Sequence, residues 1–365
     1  MQINNLVKEC AAKLNIDLCR ITDSGELKQE RNILEKRSKD KYWPQPFANQ
    51  NLAELTNPAF HFPNLKSIIV AAVSYNKNGT NPFLSNYVTV EDYHVYLENK
   101  LEKLAARLQK KLNKSFNYKI FVDEAPFLEK ALARKAGIGF IGKNTLLINP
   151  ELGSNLFLGE IFTDLEITKD QPLADDCGDC RLCIDNCQVD ALKSEYLLAA
   201  EECTAYLTQK KGILSEAEIK KIGHHIWGCD DCKDVCPYNK KADKLTASEL
   251  MIFDKGLQYF LNLERKELPK ELANTAITWR GSRILIRNAM LAAANLKELQ
   301  YFNLIKEKLN DNSPVIRYYA ALSLLEIDFK AAKCVIEKHI AQENNKEYKN
   351  KIKNILAAKE ENHGY

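Results

Sequence analysis

The longest unbroken apolar stretch, Ser67-Ile68-Ile69-Val70-Ala71-Ala72-Val73-Ser74-Tyr75, has strand length and no polar alternation, which predicts a strand buried on both faces. A different rhythm follows. Tyr93, Leu97, Leu101, Leu104, Leu108 and Leu112 recur at helical spacing through a Lys- and Glu-rich segment, the pattern of an amphipathic helix. Tyr118-Lys119-Ile120-Phe121-Val122 reads as a strand that Pro126 terminates, with a helix from about Phe127 to Ala136 and a last strand from Leu156 to Thr163. Residues 1–165 are therefore expected to form a mixed α/β domain. An acidic stretch from Thr168 to Asp176 leads into a cysteine-rich region, residues 166–245, and residues 246–365 show only helical spacing. Within the latter, Ile286-Arg287-Asn288-Ala289 and Ile316-Arg317-Tyr318-Tyr319 resemble each other at an offset of about thirty residues, the second after the helix-start signal Asp311-Asn312-Ser313-Pro314. A short HEAT-like helical array is the expectation, and the whole reads as an α+β multidomain chain.

Composition narrows the class little. The 365 residues are 45% hydrophobic and 28% charged, ordinary for a globular chain, and the net charge of +3 excludes a strong polyanion-attracting field over the whole surface. The first residues lack a basic stretch followed by an apolar core, and no later segment approaches the about 18 apolar residues of a membrane span. A cytoplasmic protein with no membrane association, working as a monomer, is expected.

The cysteines change the picture. Eight of the eleven lie between Cys177 and Cys236, and in a reducing compartment such clustering reads as metal ligation. Cys177-x2-Cys180-x2-Cys183-x3-Cys187 has the spacing by which bacterial ferredoxins give three thiolates to one cubane and a fourth to its neighbour. A second group is Cys229-x2-Cys232-x3-Cys236-Pro237, and Cys203 stands between the two. Reciprocal exchange assigns Cys177, Cys180, Cys183 and Cys236 to one 4Fe–4S cluster and Cys187, Cys203, Cys229 and Cys232 to the other. Paired zinc sites are the competing reading, and a run of four cysteines at this spacing suits tetrahedral zinc poorly. Two low-potential clusters form a path for single electrons, which implies a pure carrier or a second cofactor in the first domain.

Asp123 ends a predicted strand, where it either caps the following helix or faces a ligand crevice as an acid. Gly137-Ile138-Gly139-Phe140-Ile141-Gly142 matches a dinucleotide fingerprint in letters only, because it follows a helix where that motif follows a strand. These glycines are expected to let backbone pass close to a flat cofactor or a neighbouring strand.

Four segments together resemble the epoxyqueuosine reductase family: Val122-Asp123-Glu124-Ala125-Pro126-Phe127-Leu128-Glu129-Lys130, the run from Ala136 to Ile148, Cys203-Thr204-Ala205-Tyr206-Leu207-Thr208, and Gly228-Cys229 through Tyr238-Asn239. The resemblance covers most of the chain. It implies a base-off cobalamin in the N-terminal domain, two adjacent 4Fe–4S clusters, and a helical region that helps hold tRNA. The implied reaction converts epoxyqueuosine at the wobble position to queuosine, with Asp123 protonating the departing oxygen and a low-potential electron donor supplying the clusters. Corrin contacts are implied at Asn86, Asp123, Leu147, Leu158 and Ala205, and His94 is expected to be structural and not a cobalt ligand.

Lys210, Lys211, Arg280, Arg283, Arg287 and Arg317 are the basic residues expected to meet phosphates, with Trp227, Tyr238 and Trp279 as stacking platforms for RNA bases. Two other classes compete: reductive dehalogenase-like cobalamin chemistry, and a non-catalytic ferredoxin-type carrier. The second leaves Asp123 and its domain without a task.

Overall fold

The computed structural model describes residues 2–40, 42–43, 51–75, 81–242, 253–264 and 268–363. Its contacts divide the chain into two units, Met1–Gly79 with Val90–Glu201 and Asp230–Met251, and Thr80–Thr89 with Glu202–Cys229 and Ile252–Tyr365. The cysteine-rich stretch is divided accordingly, with Glu202–Cys229 in the second unit and its remainder in the first.

Six strands of the first unit matter here: β1 (Leu18–Asp23), β2 (Ser67–Ser74), β3 (Tyr118–Phe121), β4 (Phe140–Ile141), β5 (Leu147–Ile148) and β6 (Leu156–Thr163). Among the helices of this unit, α1 (Ile3–Ala12), α2 (Tyr93–Leu112) and α3 (Glu129–Ala136) pack against the main sheet. The main sheet runs β1-β2-β6-β3, and every pairing in it is antiparallel. This corrects the α/β expectation: the unit is α+β. The apolar run of β2 is buried on both faces because helices cover both, not because parallel crossovers surround it. On one face α2 comes so close that a Cβ at Gly159 would lie 2.9 Å from Leu101. On the other, Ile68, Val70, Ala72 and Phe162 pack against Leu132 and Ala133 of α3.

Two loops place the chemistry of this unit. Asp92 caps α2 by accepting the His94 N–H at 3.0 Å, which sets Tyr93 and His94 on the first turn. Helix α3 ends at Gly137 in the left-handed conformation (φ 85°), and a Cβ at Gly139 would lie 2.4 Å from the Ile148 carbonyl. The glycine motif thus serves a helix stop and the tight β4–β5 hairpin, as its context implied.

The second unit is helical around one apolar core. The two similar segments fall inside α4 (Ser282–Asn295) and α5 (Pro314–Ile327), which pack against each other. Among the described residues no helix is long and apolar enough to cross a membrane.

Candidate active site

Asp123 follows β3 at φ 59°, a left-handed conformation that an aspartate tolerates better than most residues. Its N–H donates to Glu129 Oε1 at 2.9 Å, and its carbonyl accepts the Ala125 N–H at 2.8 Å. The carboxyl meets α2. Tyr93 donates its hydroxyl to Oδ2 at 2.5 Å, and His94 Nε2 lies 3.2 Å from the same oxygen. His94 Nδ1 lies 2.7 Å from Asp92 Oδ1, so both ring nitrogens face carboxylates and the doubly protonated ring satisfies both. The Tyr93 ring stacks on Phe157 with centroids 4.4 Å apart, and Phe157 stacks on Tyr75.

The charges follow from this geometry. The hydrogen bond from His94, against the opposing effect of burial and with help from Tyr93, holds the Asp123 carboxyl below the usual carboxylate range. Reciprocally, the bond to Asp123 leads the effects that push His94 up to about 9, with Asp92 adding to it. At rest the proton sits on His94. Burial, which by itself would raise the Asp123 pKa, is outweighed, and the role of His94 is an electrostatic one. Asp123 keeps 57% of its side chain exposed, within reach of a ligand.

The same unit holds the thiols. Cys177, Cys180, Cys183 and Cys236 line one cavity with Ile148, Leu182 and Tyr238. Its backbone is tied down at several points. Lys143 Nζ donates to the Gly178 carbonyl at 2.7 Å and pairs with Glu195 at 3.0 Å, and Tyr238 donates its hydroxyl to the Asp176 carbonyl at 3.0 Å. Burial pushes the Cys177 and Cys183 thiols up, a cost that a cluster reverses by binding thiolate. Four thiols facing one largely apolar cavity fit the first of the two clusters read from the spacing. Of the other four, Cys187 and Cys232 belong to this unit, where Asn186 Nδ2 donates to the Asp231 carbonyl and joins their two segments; Cys203 and Cys229 belong to the second unit.

The remaining expected residues fall as follows. Leu147 and Leu158 share the apolar cluster that also holds Phe121, Ala125 and Phe127 around the Asp123 loop, and Leu158 stays partly exposed. Apolar side chains beside an acid are a chemistry that fits a corrin edge. Asn86 and Ala205 lie in the second unit, on the turn Asn86–Val88 and the short helix Thr204–Leu207. Arg287 is a correction: it is buried, and its guanidinium donates to the Lys210 carbonyl at 2.6 Å, to the Leu207 and Thr208 carbonyls, and to Asn288 Oδ1. It has no surface to offer a phosphate. Arg317 is likewise engaged, making two bonds to Glu343, and Lys210 pairs with Glu218. Lys211 and Arg283 are exposed, while Arg280 stacks its guanidinium 3.6 Å from the Trp279 ring, itself 61% exposed. Trp227 is a second correction, fully buried with its indole N–H donating to Tyr87 Oη at 2.8 Å. Tyr238 packs on Phe140 at the thiol cavity, so of the three proposed platforms Trp279 presents its face to solvent.

An antiparallel sheet presenting a carboxylate–imidazolium pair, on the same unit as a four-thiol cavity, fits an iron–sulfur oxidoreductase that handles protons as well as electrons. Comparison with known proteins sharpens the class. Residues 176–239 match the 4Fe-4S double cluster binding domain, and residues 56–124 match the family described as Epoxyqueuosine reductase QueG, DUF1730. The epoxyqueuosine reductase of Bacillus cereus is 34% identical over 86% of this chain and 87% of its own, and that of Staphylococcus aureus is 30% identical over 98% of each. This chain belongs to the epoxyqueuosine reductase family. A crystal structure of an epoxyqueuosine reductase with a tRNA-Tyr epoxyqueuosine-modified stem loop superposes at a TM-score of 0.89 with 28% identity, covering 98% of this chain and 99% of that one. A Bacillus subtilis epoxyqueuosine reductase with its catalytic aspartate loop swung out of the active site superposes at 0.87, also at 28% identity.

Tyr93, His94 and Glu129 were not singled out as functional in the sequence. The available signal was a cluster of titratable residues, Asp92 and His94 at one helix start and Asp123 and Glu129 at another, each adjoining an apolar element.

Proposed function

We propose that this protein reduces the epoxide of epoxyqueuosine in the anticodon of tRNA to the alkene of queuosine, with Asp123 as the acid. The observation that carries the reading is the Asp123 carboxyl, partly exposed and bonded to Tyr93 and His94, on the unit that also holds the four-thiol cavity. The reaction takes up two electrons and two protons and releases the epoxide oxygen as water. An alkoxide is a poor leaving group, so an acid placed beside it lowers the barrier. Asp123 delivers the proton to that oxygen, and His94 holds the proton at rest and reloads Asp123 through the Oδ2 contact. Tyr93 keeps the carboxyl oriented.

Cys177, Cys180, Cys183 and Cys236 bind one 4Fe–4S cluster, and Cys187, Cys203, Cys229 and Cys232 bind the other, fed by a low-potential donor. The family resemblance assigns contacts with a base-off cobalamin to Asn86, Leu147, Leu158 and Ala205, and that group would supply strongly reducing chemistry at carbon when bound. Lys211, Arg280, Arg283 and the Trp279 face bind the RNA, a pairing of cation and aromatic suited to phosphates and unstacked bases. The protein works as a cytoplasmic monomer, where reduced thiols persist. Family membership supports this reading over a dehalogenase or a pure carrier.

Nucleosides from tRNA of a deletion strain test the function: accumulated epoxyqueuosine is expected, and undiminished queuosine would overturn the reading. For the cofactor, protein reconstituted anaerobically with cobalamin should retain corrin absorbance beside the iron–sulfur band. Iron bands without corrin would remove cobalamin from the account.

A further inference from the structure

One ionisable side chain stands where the fold gives it no ordinary partner. Glu160 lies in the middle of β6, opposite Val70 of β2 and Phe121 of β3, and is fully buried. Strand alternation puts it on the same face as Leu158 and Phe162, the face that α3 covers. Neither carboxyl oxygen has a hydrogen-bond donor, and both are sealed from solvent. The group that faces it is another acid, Glu129, at the start of α3.

We propose that Glu129 is a positioning residue for the reaction: braced by Glu160 from behind, its carboxylate grips the Asp123 backbone N–H and keeps the catalytic carboxyl in the site. The inference rests on the proposed role of Asp123. Two acids in contact offer only acceptors unless one is protonated, so the missing donor at Glu160 is its own proton. Burial, then the neighbouring Glu129, drive Glu160 well above the usual range and keep it neutral. Glu129 carries the charge. Burial first, then Asp123, raise it to about 7, while the Asp123 N–H, Glu160 and His94 work in the opposite direction.

Asp123 needs such a grip. Its left-handed backbone (φ 59°) is unfavourable for a residue with a Cβ, so the loop stays in that conformation only while other contacts hold it. Tyr93 and His94 hold the side chain, and Glu129 Oε1 holds the main chain at 2.9 Å. The groups facing Glu129 are Asp123 from the loop, His94 from α2 and Glu160 from β6; Lys130 adjoins it on α3 and donates to the Thr145 carbonyl. Below about pH 7 Glu129 takes up a proton, its bond to the N–H loses its charge, and the loop loosens.

Hydrogen–deuterium exchange on the reconstituted holoprotein, read on the peptide containing Asp123, tests the grip without substrate. In Glu129→Ala the Asp123 amide should exchange at least about 10-fold faster, with iron content unchanged. In Glu129→Gln the side-chain carbonyl still accepts the N–H, so protection should stay within about 3-fold of the parent and lose its dependence on pH near neutrality. Turnover of an epoxyqueuosine stem loop should follow the same order, kcat falling about 10- to 100-fold in the alanine variant with KM little changed, and recovering in the glutamine variant. Unchanged exchange in Glu129→Ala, or exchange as fast in Glu129→Gln, overturns the proposal. If Glu129→Ala does not fold, the parent decides alone: after correction for intrinsic exchange, its Asp123 amide must lose protection as pH falls from 8 to 6, by up to about 3-fold, the margin allowed to the equally neutral glutamine side chain. Because exchange needs no turnover, a parent inert toward epoxyqueuosine would sink the proposed function and leave this measurement readable.

Discussion

The thiol cavity and the acid pocket occupy the same unit and are built on opposite plans. The cavity takes three of its four thiols from seven consecutive residues, Cys177 to Cys183, a turn that runs into the short helix Leu182–Asp185. The acid pocket takes one residue or two from each of several elements: the α2 start, the loop after β3, the α3 start and the middle of β6. In the first, chemistry depends on a ligand count, which is complete or not. In the second it depends on proton position, which hydrogen bonds tune by degrees. Damage should therefore be abrupt in one pocket and graded in the other.

The largest effect is expected from Cys183→Ala. One cubane loses a corner, so iron should fall from about eight to about four atoms per chain and turnover should vanish. Full iron occupancy, or zinc in its place, would break the comparison at its root. Next, Asp123→Asn should leave both cofactors and tRNA binding intact while lowering turnover about 100- to 10,000-fold, read by single-turnover conversion of the modified stem loop. A loss of iron in this variant would show that the two pockets are not independent. The smallest effect belongs to His94→Gln, where about 10-fold is expected on kcat. The raised His94 holds its proton fully below its ordinary range and gives it up as pH rises through about 9, so the parent should lose activity across that alkaline limb. The glutamine variant should lack the limb. A limb of the same midpoint in His94→Gln would assign it elsewhere.

The same contrast governs what could be read without coordinates. The cysteine spacing is local; α2 was legible because it repeats one period over many residues, and β2 and β6 because each is a mostly apolar run of strand length. Asp123 was legible as the end of a strand. Its partners were not, because Tyr93 and His94 stand 30 and 29 residues away and only the packing of α2 on β6 and β3 brings them near. Glu160 could have been noticed as the one charge within Leu156–Thr163. The antiparallel sheet was missed for a related reason: helices on both faces give an antiparallel strand the same all-apolar composition as a parallel one. Arg287 was misplaced because a cation suggests surface. It sits between Ile284-Leu285-Ile286 and Ala289-Met290-Leu291, an apolar surround that marks the interior once the helix is seen.

That buried arginine has a consequence for the tail of the molecule. Arg287 and Asn288 of α4 hold the carbonyls of Leu207, Thr208, Lys210 and Ile226, and Thr208 in turn accepts the Gly228 N–H. These are the chain segments that carry Cys203 and Cys229. A protein trimmed ahead of Ser282 would retain all eight cysteines between Cys177 and Cys236, yet Cys203 and Cys229 would sit on strings with their anchor cut. The C-terminal helices are thus scaffolding for the two segments that present these thiols.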